Sequence, residues 1–286
     1  MHDFISFAKE RLNNLYQTNE INYISRMLLE KFAGIGSTQF YSGKDIKIPD
    51  ITASKLREAL NRLGEHEPLQ YVLGETEFSG LMFHVRPGVL IPRPETEELV
   101  ELIIKDAKSH FVKKEALRII DFCSGSGCIA ISLSKKISGS LVEGWDISQD
   151  ALEISKENAS RLSPYVQFLP VDILNYQPSE KSYGKMDILV SNPPYVCNSE
   201  QDEMETKVLK YEPHLALFVD DSDPLIFYRK IGELSEKMLK KGGFLYFEIN
   251  SRLWKETMDM MKSFTFQEVR VFKDISGRER FIRAKY

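Results

Sequence analysis

Residues 192–195 form the tetrapeptide Asn-Pro-Pro-Tyr, whose side chains and backbone are suited to binding a planar NH2 group. Asn192 carries a side-chain carbonyl, and Pro193 precedes a second proline, Pro194, which restricts Pro193 to an extended conformation that can aim its own carbonyl. Two acceptors on a stiff backbone can bind both hydrogens of an NH2 group, and the ring of Tyr195 offers a flat face. The pattern therefore favours chemistry at an amide or amine nitrogen.

The position of the tetrapeptide in the chain supports this interpretation. Residues 186–190 are a short run rich in branched aliphatic side chains and are followed closely by two prolines, which predicts a buried strand of a parallel sheet. Open α/β sheets bind their ligands just beyond the carboxyl ends of such strands. The alternative is a turn that only ends the strand, because Asn and Pro are common turn residues. For the full tetrapeptide we favour the binding interpretation.

A glycine-rich stretch at residues 121–130 is a second chemical pattern. Glycine lets the backbone pass close to a ligand and turn sharply into a helix N-terminus. The spacing Gly125-x-Gly127-x-x-Ala130 fits the dinucleotide fingerprint, and Asp146 follows about 20 residues later, where a ribose-binding acid belongs. On its own, this pattern is also compatible with NAD.

Two carboxylates end successive predicted strands. Asp146 ends the second strand and can hold both hydroxyls of a ribose. Asp172 ends the third, where it can bind the amino group of adenine while the neighbouring Ile173 packs against the ring. Capping of a helix or turn is the structural alternative for each acid. Their occurrence at successive strand ends favours a nucleoside site.

The order of elements after residue 116 positions these motifs at one edge of a sheet. Strands and helices alternate there, which predicts an α/β fold with a parallel sheet and helices on both faces. The predicted strands are 117–122, 141–146, 166–171, 186–191 and 244–249, with 268–273 and 281–285 as an antiparallel hairpin at one edge. The predicted helices are 127–136, 150–162, 224–239 and 253–263.

The first part of the chain has a different pattern. Residues 1–66 carry apolar stripes at helical spacing and predict a small helical-bundle domain. Residues 67–88 predict a β-hairpin linker, with strands at 69–74 and 78–85 joined by a glycine turn. Residues 89–286 then form the ligand-binding domain.

The string 90–97 leads into an amphipathic helix. Pro94 suits the first turn of that helix, and the acidic residues after it favour its positive end. Capping does not account for Arg93, which stands between two prolines, so we treat it as a candidate lid residue.

Composition excludes several classes of protein. The 286 residues are 42% hydrophobic and 28% charged, as in soluble globular proteins. The net charge of −4, and nine Lys and Arg against eleven Asp and Glu in residues 1–84, argue against a protein that binds nucleic-acid backbone. No membrane span or signal peptide is recognisable, so we expect a cytoplasmic location. The three cysteines and five histidines show no metal-ligand spacing, and we expect no metal.

Taken together, the motifs resemble those of class I S-adenosylmethionine-dependent methyltransferases, which implies a Rossmann-like, mostly parallel sheet of seven strands. Within that class the chain resembles the PrmC/HemK group, the N5-glutamine methyltransferases of peptide chain release factors. The resemblance spans almost the whole chain. It rests above all on the string Pro-Arg-Pro-Glu-Thr-Glu at 92–97 combined with the tetrapeptide at 192–195. Further matching stretches are 67–74, the glycine loop, 211–213 and 273–278.

This resemblance implies S-adenosyl-L-methionine as the cofactor and class 1 peptide chain release factors as partners. The glutamine of their Gly-Gly-Gln motif would receive the methyl group, the N-terminal domain would recognise the factor, and residues 89–286 would be the methyltransferase domain. The implied cofactor-binding residues are Cys123, Ser124, Gly125, Ser126, Gly127, Asp146, Asp172, Ile173 and Asn192. The implied substrate-binding residues are Asn192, Pro193, Pro194 and Tyr195, of which Asn192, Pro193 and Tyr195 are the candidate catalytic residues. We expect a monomer that does not bind DNA.

The chain departs from the family pattern at two places. The family loop commonly begins Gly-Thr, where this chain has Cys123 and Ser124, and the larger side chain at 123 makes a close backbone approach less favourable. The family also tends to have a glycine after the pair Glu248-Ile249, where this chain has Asn250. We assign no role to that stretch from the sequence.

Two other functions remain open at this stage. An adenine-N6 methyltransferase acting on DNA or RNA would use the same tetrapeptide on an aromatic amine. The acidic charge and the lack of a basic, aromatic stripe for flipped bases argue against it. A non-catalytic cofactor-binding module would explain the glycine loop but would leave residues 192–195 without a task.

Overall fold

The computed structural model describes residues 1–42, 44–111 and 116–286. The chain divides into two compact units, of which the first contains Met1–Glu75 with Glu205–Tyr211 and the second contains Thr76–Met204 with Glu212–Tyr286. Each unit has its own hydrophobic core.

The first unit is built from helices whose apolar stripes meet in one core. Leu12, Leu28 and Leu60 come from three different helices and are completely buried together. This packing confirms the helical stripes that the sequence predicts for the N-terminal part. The helices are α1 (His2–Leu12), α2 (Thr18–Ala33), α3 (Ser37–Tyr41), α4 (Asp50–Gly64) and α5 (Leu69–Leu73).

Helix α5 corrects the sequence prediction, which expected a strand at residues 69–74. The Pro68 carbonyl accepts hydrogen bonds from the backbone of Tyr71 and Val72 at 3.0 and 3.1 Å, and Gly74 ends the helix with φ of +75°. A short apolar run does not distinguish a buried helix from a buried strand, which is why its periodicity misled the prediction.

The predicted hairpin is present but begins later. Its strands are β1 (Glu75–Phe78) and β2 (Leu81–His84), and they are joined at Ser79 and Gly80, with φ of +53° and +77°. Positive φ at both central residues matches the right-handed twist of a two-residue hairpin.

The second unit is organised around a sheet of seven strands in the order β10-β11-β9-β6-β3-β4-β5. The five strands from β9 to β5 are parallel, and β11 runs antiparallel to both β9 and β10. The mostly parallel sheet and its antiparallel edge hairpin are therefore confirmed. The strands after the hairpin are β3 (Arg118–Phe122), β4 (Leu141–Asp146), β5 (Gln167–Pro170), β6 (Met186–Ser191), β7 (Val196–Cys197), β8 (Phe218–Val219), β9 (Leu239–Glu248), β10 (Glu268–Lys273) and β11 (Glu279–Lys285).

Helices cover both faces of this sheet. Successive side chains of β3 alternate, so that Ile119 packs in a core with α6, α7 and α8, whereas Ile120 packs in a second core with α10 and α11. The helices after α5 are α6 (Pro94–His110), α7 (Cys128–Lys136), α8 (Gln149–Leu162), α9 (Thr206–Tyr211), α10 (Ile226–Met238) and α11 (Trp254–Lys262), with α9 belonging to the first unit.

The register of the parallel strands brings the motifs together. Phe122 at the end of β3 pairs with Trp145 on one side and with Ser191 on the other. Asp146 is the last residue of its strand, and the glycine loop and Asn192 directly follow theirs. All three therefore lie at the same edge of the sheet, where α/β proteins bind ligands.

Candidate active site

The glycine loop between β3 and α7 is a tight turn held by backbone hydrogen bonds. Ser124 N donates to the Trp145 carbonyl at 3.1 Å, and Gly127 N donates to the Ser124 carbonyl at 2.8 Å. The buried carboxyl of Asp121 accepts a hydrogen bond from Ala130 N at 3.1 Å and so joins the strand to the first turn of α7. Burial raises the pKa of Asp121 well above its usual range.

Two residues of this loop have left-handed backbone conformations, with different consequences. Gly127 has φ of +81°, and a Cβ at this position would lie 2.7 Å from Cζ of Phe168, so glycine is required by both strain and packing. Cys123 has φ of +58° although it carries a side chain, which is uncommon. Its side chain packs against the core of the sheet, and burial raises the pKa of its thiol.

Asp146 at the end of β4 is fixed by two backbone donors. Its Oδ2 accepts a hydrogen bond from Gly125 N at 2.8 Å, and its Oδ1 accepts one from Ser148 N at 2.9 Å. Burial raises the pKa of Asp146, while these two hydrogen bonds act in the opposite direction. The carboxyl group is thus held beside the glycine loop, where the sequence places a ribose-binding acid.

Asp172 lies after β5 in a more polar setting. Its carboxylate accepts hydrogen bonds from Asn175 Nδ2 at 2.7 Å and from Leu174 N at 3.1 Å, and the Asn175 bond is the main reason that its pKa is lowered. The neighbouring Ile173 is buried in the same core as Trp145. The ionised carboxylate of Asp172 is therefore next to the apolar side chain of Ile173.

A cavity of about 250 Å³ opens at this edge of the sheet. Its wall contains the predicted site residues Cys123, Ser124, Gly125, Ser126, Asp146, Asp172, Ile173, Asn192 and Pro194. Gly127, Pro193 and Tyr195 do not contribute to that wall. Gly127 lies against the ring of Phe168, and Tyr195 directs its hydroxyl towards Glu248.

Asn192 is joined by hydrogen bonds to two residues that are distant in the sequence. Its Nδ2 donates to Thr96 Oγ1 at 3.2 Å, and Thr96 Oγ1 donates to Glu248 Oε2 at 2.7 Å. The other carboxylate oxygen, Oε1, accepts a hydrogen bond from the Tyr195 hydroxyl at 3.0 Å. Among the described residues, none donates to Asn192 Oδ1, which is therefore available as an acceptor in the cavity.

Burial sets the protonation of this cluster. Glu248 is 1% exposed, and burial raises its pKa, although the hydrogen bonds from Thr96 and Tyr195 favour the ionised form. Burial also raises the pKa of Tyr195, so its phenol stays protonated and donates. Sequence reasoning assigned no role to Thr96 or Glu248. The signal for Glu248 was an acidic residue at the end of the otherwise apolar strand 244–249.

Arg93, the candidate lid residue, forms an ion pair at the cavity. Its Nη2 lies 2.7 Å from Glu212 Oε1, and Glu212 Oε2 accepts a hydrogen bond from Ile91 N at 3.2 Å. The Glu212 side chain is 1% exposed, and Arg93 and Pro213 both line the cavity. The pair holds the strings 90–97 and 211–213 together, and a lid role for Arg93 stays a prediction.

Asn250, the second departure from the family pattern, has a defined structural role that the sequence did not reveal. Its Nδ2 donates to the Tyr195 carbonyl at 3.1 Å and to Glu200 Oε2 at 2.9 Å. Its Oδ1 accepts a hydrogen bond from Arg252 N at 2.9 Å. Asn250 therefore fixes the backbone at the end of the tetrapeptide, which a glycine could not do.

Residues 1–42, 44–111 and 116–286 lack two features of other protein classes. Within these ranges, no cluster of three or more His, Cys, Asp or Glu side chains is suited to holding a metal ion. Within the same ranges, no helix has the length and apolar character needed to cross a membrane.

Two segments of the chain match known families. Residues 3–74 match the "PrmC N-terminal domain", and residues 101–212 match the "Methyltransferase small domain". The fold is similar to that of the 16S rRNA N2 G1207 methyltransferase RsmC of Thermus thermophilus, solved in complex with AdoMet and guanosine. The TM-score is 0.52 at 17% identity, over 74% of this chain and 49% of that one. The fold and the matched segments define a methyltransferase.

Relatives of similar length narrow this class. The chain is 41% identical over 284 residues to the release factor glutamine methyltransferase of Bacteroides thetaiotaomicron, covering 99% of both chains. It is 42% identical over 277 residues to that of Flavobacterium psychrophilum, covering 97% of this chain and 96% of the relative. The chain belongs to the release factor glutamine methyltransferase family, whose members depend on S-adenosylmethionine.

The cavity has groups that fit this cofactor. Ser124 Oγ is buried on its wall and has no hydrogen-bond partner in the described part of the chain, which leaves a polar atom for a ligand. Asp146 and Asp172 add two carboxyl groups, and Ile173 adds an apolar surface. Hydroxyl groups, an amino group and a flat ring are the features of S-adenosylmethionine that such residues can bind.

Proposed function

We propose that this chain transfers the methyl group of S-adenosylmethionine to the side-chain amide nitrogen, N5, of the glutamine in the Gly-Gly-Gln motif of peptide chain release factors. The observation that carries the proposal is the hydrogen bonding of the Asn192 side-chain amide. Its Nδ2 is engaged by Thr96, which leaves Oδ1 as an acceptor on the wall of the cavity that also contains the glycine loop.

The proposed cofactor residues are those of the glycine-loop side of the cavity. Residues 123–127 approach the methionine and ribose portion, Asp146 binds the ribose hydroxyls, and Asp172 with Ile173 contacts the adenine. Bound S-adenosylmethionine supplies a methyl group on a positively charged sulfur. The residues of this side bind and orient the cofactor and take no part in proton transfer.

The proposed substrate residues are those of the tetrapeptide. In this proposal Asn192 Oδ1 and the Pro193 carbonyl accept the two hydrogens of the glutamine amide, while Pro194 and the ring of Tyr195 pack against it, although neither Pro193 nor Tyr195 lines the cavity wall in this structure. An amide nitrogen is a poor nucleophile because its lone pair is delocalised into the carbonyl. Two acceptors arranged in this way favour a pyramidal nitrogen, whose lone pair is then free for in-line attack.

These acceptors also stabilise the positive charge that develops on the nitrogen during attack. By analogy with a lost oxyanion-hole donor, one such acceptor contributes about 2.7–4 kcal/mol. Alignment of the reacting groups supplies much of the remainder, since effective molarities of about 10⁵–10⁸ M are available to well-held reactants. No general base is required, because the methylated nitrogen loses its extra proton readily after the transfer.

The remaining parts of the proposal concern organisation and partners. Residues 1–66 recognise the release factor, residues 67–88 link this domain to the catalytic domain at 89–286, and the enzyme acts as a monomer in the cytoplasm. The net charge of −4 supports a protein partner rather than DNA.

The decisive test is transfer of a labelled methyl group from S-adenosylmethionine to a purified class 1 release factor. The controls are the same factor with its Gly-Gly-Gln glutamine changed to alanine, and duplex DNA. We expect label on the wild-type factor alone. Label on the alanine variant would place the modification at another residue, and label on DNA would move the substrate assignment to adenine.

A further inference from the structure

We propose that Thr96 and Glu248 are positioning residues that fix which end of the Asn192 side-chain amide faces the substrate. The inference rests on the proposed function, because it concerns the acceptor that binds the glutamine amide. It assigns a function to Thr96, the threonine of the string 92–97, and to Glu248, the last residue of β9.

The Thr96 hydroxyl can donate only one hydrogen bond. A threonine hydroxyl has one hydrogen to donate and lone pairs with which to accept. Thr96 Oγ1 donates that hydrogen to Glu248 Oε2 at 2.7 Å. Towards Asn192 the hydroxyl can therefore only accept, so it selects the Nδ2 end of the amide, which lies 3.2 Å away.

Glu248 is the acceptor that sets the direction of the Thr96 hydrogen bond. An ionised carboxylate has no hydrogen to donate, so Glu248 receives hydrogen bonds from Thr96 and from the Tyr195 hydroxyl. Thr96 is 2% exposed and Glu248 1% exposed, so water has little access to replace either partner. The direction of every bond in the cluster follows from Glu248 accepting a hydrogen bond from both hydroxyls.

The fold explains why this carboxylate reaches both ends of the tetrapeptide. Strands β6 and β9 are parallel neighbours, and Ser191 pairs with Phe247. Asn192 and Glu248 are the residues that follow this pair. Glu248 thus holds Tyr195 directly and Asn192 through Thr96, which is delivered by the first turn of α6.

The consequence concerns a 180° rotation of the Asn192 amide. In the rotated state, Nδ2 would face the cavity and would oppose the NH2 group of the substrate, donor against donor. Oδ1 would face Thr96, whose only hydrogen is already used by Glu248. Without the Thr96 hydroxyl this penalty disappears, and the rotated, inactive state becomes the favoured one because a buried carbonyl oxygen without a partner is tolerated better than a buried NH2 group without one.

The test compares Thr96→Val, which keeps the shape and removes the hydroxyl, with Thr96→Ser, which keeps the hydroxyl. We expect Thr96→Val to lower kcat by about 10- to 100-fold, the range that corresponds to one unsatisfied buried polar group. Thr96→Ser should restore kcat to within about threefold of the wild type on the same scale. The dissociation constant of the cofactor should change little in both variants.

Thr257→Val is the matched control. Thr257 is also buried in a helix, but its hydroxyl donates to the Leu253 carbonyl at the start of α11, which packs on the opposite face of the sheet from α6. It should lower the melting temperature without changing kcat. If Thr96→Val and Thr96→Ser lower kcat equally, or if both act only on stability as Thr257→Val does, the positioning role is wrong. Thr96→Ala takes the place of Thr96→Val if the valine variant does not fold.

A second measurement is independent of turnover. The side-chain NH2 resonances of Asn192, assigned by their loss in Asn192→Ala, should exchange slowly with solvent in the wild type and in Thr96→Ser, and quickly in Thr96→Val. Unchanged exchange in Thr96→Val overturns the inference even if the kcat of that variant is lowered. A wild-type enzyme that does not methylate the release factor overturns the proposed function instead, and the NMR comparison still decides the orientation of the amide.

Discussion

The glycine-loop side of the cavity and its Asn192 side are held together by different kinds of interaction. On the glycine-loop side, the hydrogen bonds of Asp121, Asp146 and Asp172 go mainly to backbone N–H groups and span 2 to 21 residues of sequence. On the Asn192 side, the bonds join side chains that are 53 to 152 residues apart.

This difference predicts how the glycine-loop side and the Asn192 side of the cavity respond to substitution. A backbone-held loop tolerates a change of side chain as long as the chain can adopt the required φ, which is how Cys123 can occupy a left-handed position. A cluster of side chains depends on every member, because a lost partner leaves a buried polar group unsatisfied. We therefore expect changes on the Asn192 side to act on the rate, and changes on the glycine-loop side to act on cofactor binding.

The largest effect is expected for Asn192→Ala. The variant removes the acceptor that faces the substrate amide and should lower kcat by about 10²–10³-fold, as the loss of an oxyanion-hole donor does. Cofactor affinity should fall much less than kcat, because Asn192 is only one of the residues that line the cofactor cavity. Steady-state methyl transfer and calorimetric titration with S-adenosylhomocysteine give the two values, with the exposed Asn198→Ala as the control. A near-normal kcat would remove Asn192 from the mechanism.

Asp146→Asn tests the glycine-loop side in the same way. The change removes the charge and one of the two backbone hydrogen bonds, so the dissociation constant of the cofactor should rise by about 10- to 150-fold, corresponding to about 1.5–3 kcal/mol. The rate at saturating cofactor should fall much less. Glu153→Gln, on the exposed face of α8, is the control. A lower kcat with unchanged cofactor affinity would reverse the contrast between the two sides.

The pH dependence of kcat sharpens the comparison further. Burial raises the pKa of Glu248, with Glu95 adding to the shift and with Thr96, Tyr195 and Arg280 opposing it. As the pH falls through this raised pKa, the carboxyl takes up a proton and can accept from only one of its two hydroxyl partners with the same geometry. We expect kcat to fall about tenfold per pH unit below that point.

The measurement is the pH profile of kcat at saturating cofactor. Saturation separates this effect from Asp146, whose pKa burial also raises and whose protonation should weaken cofactor binding on the acid side. In Thr96→Val the acid limb should be flatter, since the hydroxyl that transmits the change is absent. An acid limb of the same steepness in the variant would assign the titration to another group.

The smallest effect is expected for Cys123→Gly. Glycine removes the cost of a left-handed side-chain-bearing residue, about 1–2 kcal/mol, and adds chain entropy to the unfolded state, about 0.5–1 kcal/mol. We expect the free energy of unfolding to change by less than about 1 kcal/mol and the cofactor dissociation constant by less than about fivefold on that scale. Ser79→Gly, at φ of +53° in the hairpin, is the control. A larger loss of affinity would show that the Cys123 side chain contributes to binding.

Several strands of the seven-stranded sheet are predictable from local sequence patterns. The predicted and observed bounds of the strands at 118–122, 141–146 and 186–191 agree within about two residues, because each contains a short apolar run whose ends are marked by neighbouring polar, glycine or proline residues. The run at 69–74 was misassigned for the complementary reason. Its helix is decided by burial within the first unit, and nothing in a six-residue run with four apolar side chains encodes that environment.

The sequence by itself determined the class of chemistry: an Asn-Pro-Pro-Tyr tetrapeptide after a buried strand, a glycine loop after another, and acids at two strand ends. Only the tertiary structure decided how Asn192 is oriented, because Thr96, Asn192 and Glu248 come from three separate segments and meet where β6, β9 and α6 end or begin. Local motifs are readable because their partners are backbone groups close in sequence. The direction of a hydrogen bond between distant side chains depends on burial and charge, which arise only when the chain is folded.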